Sequence, residues 1–117
     1  MCQARHSAAL VVVLTGEYDG GKAVSSYFRS KYCVMEFRGA LAAAKPVVFV
    51  LEIDPAHGGV PIDAHIDDAA TAAGDHWRNE DGSDDTTARA LLQRHWKAGL
   101  VVPFQRVRAF QVQLAAP

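Results

Sequence analysis

Two short apolar runs dominate the hydropathy pattern. Leu10–Leu14 (LVVVL) and residues 47–53 (VVFVLEI) are continuous and β-branched. That is the pattern of strands covered on both faces in a parallel sheet. Between them, Cys33, Phe37, Ala40, Leu41 and Ala44 recur at three- and four-residue spacing. This predicts a helix over 30–44 with one apolar stripe. Ser30 is placed to cap it, and Pro46 stops it near Lys45. Residues 15–26 are polar, carry the turn signal Asp19-Gly20-Gly21, and read as a loop.

The second half is less regular. Residues 63–73 predict a short helix, capped by Asp63, lined by Ile66, Ala69, Ala70 and Ala73, and closed by Gly74. Residues 75–85 are acidic and turn-rich and read as an exposed loop. Residues 86–98 predict a helix whose buried face holds Ala88, Leu91, Leu92 and Trp96, with Gly99 as its stop. Residues 100–104 form a weaker strand, placed at an edge by Pro103. Residues 105–115 predict a last helix, with Val107, Phe110 and Leu114 facing inward.

Strands alternating with helices predict an α/β fold with a mainly parallel sheet and right-handed crossovers. The length of 117 residues fits one domain. Twelve basic and 13 acidic residues give a net charge of -1, which supplies no electrostatic case for nucleic acid or an anionic membrane. The longest early apolar run, 8–14, is far short of the ~20 residues that span a bilayer. Two cysteines, Cys2 and Cys33, make neither a disulfide framework nor a zinc motif. They point to a reducing compartment, hence the cytoplasm.

Candidate chemistry is sparse. His57, Asp63, His65, Asp67, Asp68, Asp75 and His76 cluster in sequence, but their spacing fits no metal-ligand motif, so they read as a solvated acidic face. Gly20-Gly21-Lys22 lacks the first Gly and the trailing hydroxyl residue of a phosphate loop.

The most informative segment is 27–37, YFRSKYCVMEF. Tyr27, Ser30, Tyr32, Cys33, Glu36 and Phe37 follow a strand ending in Leu14-Thr15 and precede Lys45-Pro46-Val47-Val48-Phe49-Val50. In this order and spacing the chain resembles the Toll/interleukin-1 receptor (TIR) domain family over about residues 9–59, and weakly again over 104–111. The elements with which that domain begins have no counterpart before Leu10. The resemblance is therefore to its C-terminal half, a single partial domain over 1–117.

That resemblance implies a flavodoxin-like parallel sheet with helices on both faces. It implies signal transduction, innate immunity included, by association with other TIR-type domains, and a homo-oligomer. It requires no cofactor. Some members of the family cleave NAD, and there the resemblance places the catalytic carboxylate on Glu36, with Ser30 and Cys33 flanking the nucleotide as binding residues. A carboxylate in that role stabilises the oxocarbenium-like ribose as nicotinamide leaves. Read from the residues alone, Glu36 is a boundary glutamate with Arg29, Lys31 or Arg38 as a partner, Cys33 packs in the core, Ser30 caps the helix and Tyr32 packs at its start.

Overall fold

The computed structural model describes residues 9–71 and 76–105. Strand β1 (Leu10–Leu14) leads into a hairpin of β2 (Gly16–Asp19) and β3 (Lys22–Ser25). A single turn, α1 (Ser26–Arg29), runs into α2 (Lys31–Ala42), and β4 (Val47–Glu52) follows. A short 3₁₀ turn (Pro55–His57) precedes α3 (Ile62–Thr71), α4 (Thr87–Lys97) and β5 (Val102–Phe104).

The main sheet has three parallel strands in the order β1-β4-β5. The α/β class read from the sequence is thus observed. The polar stretch 15–26 is not a plain loop, however. Its turn signal closes a two-residue hairpin in which Gly20 and Gly21 both have positive φ, 59° and 85°. That is the turn whose twist matches antiparallel strands. Gly16 is tightly held: a Cβ there would lie 2.2 Å from the Val24 carbonyl oxygen.

Ser30 caps α2 as expected, its Oγ accepting the Cys33 N–H at 3.3 Å. The helix ends earlier than Pro46 alone would require. Ala44 takes a left-handed φ of 55°, and the N–H groups of Lys45 and Ala44 donate to the carbonyls of Ala40 and Leu41. This is a Schellman closure, and it satisfies carbonyls that the helix end would leave unpaired. Gly99, with φ 71°, closes α4 in the same way.

The core lies between the sheet and the helices. Leu10, Val12, Leu14, Phe49 and Leu51 meet Phe28, Val34, Phe37, Trp77, Ala88 and Leu92. Phe37 sits among Phe28, Phe49 and Trp77, with ring centroids 5.9, 6.2 and 6.2 Å away. Three expectations are corrected here. Trp96 is 45% exposed and His95 takes its place, packing edge-on against Phe49. Trp77, inside the acidic stretch read as an exposed loop, is only 1% exposed. Tyr32 is 76% exposed and does not pack.

Both connections between main-sheet strands step in the same direction, from β1 to β4 to β5. Right-handed crossovers then put the intervening helices on one face. The register aligns Val11 with Val48 and Val13 with Val50 and Val102 on the other. On that face Val11, Val13, Val48 and Val102 are 54, 41, 40 and 48% exposed. The expectation of helices on both faces is therefore met on one face only among the described residues. The helix predicted over 105–115 falls, beyond Gln105, outside them.

Candidate functional site

Glu36 projects from the second turn of α2, half-buried at the rim of a cavity of about 390 Å³. Tyr32, Met35, Gly39, Ala40, Ala43 and Lys45 line the rest. Its Oε1 is buried and has no hydrogen-bond partner, and the same holds for the Tyr27 hydroxyl. Burial, and then the Glu36 charge, push the Tyr27 phenol well above its ordinary value. Two of the three cations considered for Glu36 are engaged elsewhere: Arg29 pairs with Asp68 at 2.9 Å and Arg38 with Asp85 at 3.2 Å.

The two flanking residues have structural tasks. The Ser30 oxygen is the α2 cap. Cys33 is buried and disulfide-bonded. That corrects the reading of two unpaired thiols and removes the ground for placing the chain in a reducing compartment. Among the described residues, no helix is long and apolar enough to cross a membrane.

A second polar cluster was misread in sequence. Of the supposed solvated acidic face, His65 and Asp68 are buried, at 0 and 6% exposure. The His65 Nδ1 lies 2.7 Å from Ser25 Oγ. That oxygen also accepts the Phe28 N–H, and the other ring nitrogen, Nε2, is buried and unpartnered. Asp68 Oδ2 accepts both the Ser25 N–H, at 2.8 Å, and Arg29 Nε, at 2.9 Å.

The cluster contains Ser, His and Asp, but not in a nucleophilic relay. A relay needs the acid on the imidazole and an accessible hydroxyl. Here Asp68 holds the Ser25 backbone and Arg29, and Ser25 is fully buried. What the cluster does is stitch α3 to the β3–α1 junction. Burial pulls the His65 ring down to about 4, against a smaller upward pull from Asp68.

Glu52, at the C-terminal end of the central strand, is fully buried, and its Oε2 accepts the N–H groups of Ile53 and Asp54. A cleft of about 380 Å³ opens beside it, walled by Tyr18, Pro55, Gly59, Val60 and Pro61. Glu52 is itself part of the cleft wall, and its carboxylate anchors the strand end through those two N–H groups. Among the described residues no group of three or more His, Cys, Asp or Glu converges to hold a metal ion.

The structure does not bring together Glu36 and the His65 cluster as one centre. Among the described residues, four of the exposed large hydrophobics, Val11, Val13, Val48 and Val102, gather on one face of the sheet. No protein-family model, no curated protein and no solved structure matches the chain.

Proposed function

We propose that the chain is an association module of the TIR-like, flavodoxin-like type, which acts by binding domains of its own kind. The observation that carries this is the row of half-exposed valines on one face of a parallel sheet. Parallel sheets are stable when both faces are covered, and a contiguous apolar patch on a protein surface marks a contact site. The valines Val11, Val13, Val48, Val50 and Val102 form an uncharged row on which two copies can stack; Glu52, next on the same side of β4, is fully buried and held by the Ile53 and Asp54 N–H groups.

Sedimentation velocity over a concentration series tests this. Wild-type average mass should rise with concentration. Val13→Asp should weaken association at least tenfold, about 1.4 kcal/mol, with an unchanged circular dichroism spectrum. A wild-type chain that stays monomeric at the highest concentration reached would overturn the reading.

A second reading, NAD cleavage to nicotinamide and ADP-ribose, rests on Glu36. Its support is the buried, unpartnered Oε1 at the edge of a cavity, where a carboxylate is poised to act on a substrate rather than to hold a salt bridge. NAD is here a substrate, and the catalytic role of Glu36, with Ser30 and Cys33 beside it, is the one the family resemblance supplies. In a nicotinamide-release assay, Glu36→Gln should lower the rate at least about a hundredfold, the usual scale for a catalytic acid or base. No release by folded wild-type protein removes this reading and leaves the first intact.

A further inference from the structure

The main sheet treats its two edges differently. At the β5 edge, the Ile53 N–H donates to the Phe104 carbonyl. Successive residues of a strand aim their backbone groups to alternate sides. Val102 and Phe104 therefore turn toward β4, and Pro103 turns outward. A proline has no N–H to offer, and natural sheets blunt an edge in this way. The other outer strand is β1. There the Leu10 N–H donates to the Pro46 carbonyl. Leu10, Val12 and Leu14 thus bond to β4, while the N–H and C=O groups of Val11 and Val13 point away from the sheet. Among the described residues no strand lies beyond them. Residues 9–16 hold neither a charge nor a proline, so two common guards of an edge are missing.

We propose that β1 of one copy pairs antiparallel with β1 of a second copy about a twofold axis at Val12, joining two three-stranded sheets edge to edge. The choice of partner rests on the association reading. The contact is a different one, made by the main chain and not by valine side chains. Three observations single out a second copy. The first is sequence symmetry. LVVVL is a palindrome, so about Val12 each Leu10 meets a Leu14 and each Val11 meets a Val13. The second is hydrogen-bond parity. In this register the outward groups of Val11 and Val13 fall opposite each other and exchange both bonds, with Val12 at the intervening non-hydrogen-bonded position. A one-residue slip would set outward groups against groups already bonded to β4. The third is continuity of the faces. Buried Leu10, Val12 and Leu14 stay on the helix side in both copies, and half-exposed Val11 and Val13 stay on the other. The valine face then runs unbroken across the axis. Such an isologous contact closes on itself and stops at two copies.

The test uses the full chain. In isotope-filtered Overhauser spectra of mixed labelled and unlabelled protein, the Val12 Hα of one copy should contact the Val12 Hα of the other, as a non-hydrogen-bonded antiparallel pair requires. Amide exchange at Val11 and Val13 should slow at least tenfold from dilute to concentrated protein. In sedimentation, Val13→Pro removes one outward N–H and should weaken association at least tenfold with an unchanged circular dichroism spectrum. Val13→Ile keeps the N–H and the apolar face and should leave association within about twofold of wild type. An associating wild-type chain that lacks the Val12 contact, with both amides indifferent to concentration, overturns edge pairing and leaves face stacking to carry the association reading. The Val12 contact with unmoved Val48 and Val102 methyls leaves edge pairing standing and removes face stacking. A chain that stays monomeric at the highest concentration reached overturns both.

Discussion

Replacing Phe37 by Ala should cost about 3–5 kcal/mol of folding stability, the range for deleting a large buried aromatic side chain. Phe37 is fully buried and touches the aromatic rings of Phe28, Phe49 and Trp77, so it joins α1, α2, β4 and the 76–85 segment at one point. Three bulky, fully packed aromatic neighbours cannot readily collapse into the space left behind, which places the loss toward the top of the range. Domains are stable by only about 5–15 kcal/mol in total, so a third or more of the margin should go. The check is chemical denaturation, with Tyr32→Ala as the exposed control from the same helix. A midpoint for Phe37→Ala within 1 kcal/mol of wild type would contradict this account of the core.

The second large effect is a pH dependence centred on His65. In the fold its ring is held down to about 4 by burial, while in the unfolded chain it titrates near 6.5. The unfolded state therefore binds the extra proton first. Stability from this group is fully present above about pH 6.5, falls as pH drops toward 4, and levels off below that. At ~1.4 kcal/mol per unit, the ceiling is about 3 kcal/mol. The groups around the ring fix the sign. Asp68 favours the charged form but is committed to Arg29 and the Ser25 N–H, and the unpartnered Nε2 has no acceptor that would welcome a positive charge. Denaturation midpoints between pH 4 and 7 for wild type and His65→Gln measure the difference. The variant should be flatter over that window. Equal slopes would show that His65 is solvated in the fold.

Much of the scaffold was legible in the sequence because its signals are local. LVVVL, the stripe from Cys33 to Ala40 and the run from Val47 carry strand, helix and strand in their own periodicity, and Ser30 and Gly99 mark helix ends through backbone chemistry that acts within a few residues. What could not be read depends on partners far along the chain. Trp77 is buried by Phe28 and Phe37, some 40 residues away, although its own neighbours are acidic and polar. His65 and Asp68 turn inward because Ser25 and Arg29 wait for them across the fold.

Two further gaps have other causes. The strands GEYD and KAVS are four residues each and too polar to show alternation, so only their turn was visible. In α4 the inward residues Ala88, Leu91 and Leu92 were read as the structure has them, but the last inward position belongs to His95 and not to Trp96. The valine face is the most instructive case. A continuous apolar strand shows that both sides avoid water, but not what lies against each side. Glu36 was singled out only through a family resemblance; what the structure gives it is a buried Oε1 without a partner and a nearby phenol that senses its charge.

The central claim is that the valine face is where this chain meets its own kind. Its most direct test is a methyl NMR concentration series on the wild-type chain. The account predicts that the methyl signals of Val11, Val13, Val48 and Val102 move with concentration, while those of the buried Val12 and Val34 hold still. Four valine signals that stay fixed across the series, whatever else moves, would contradict it.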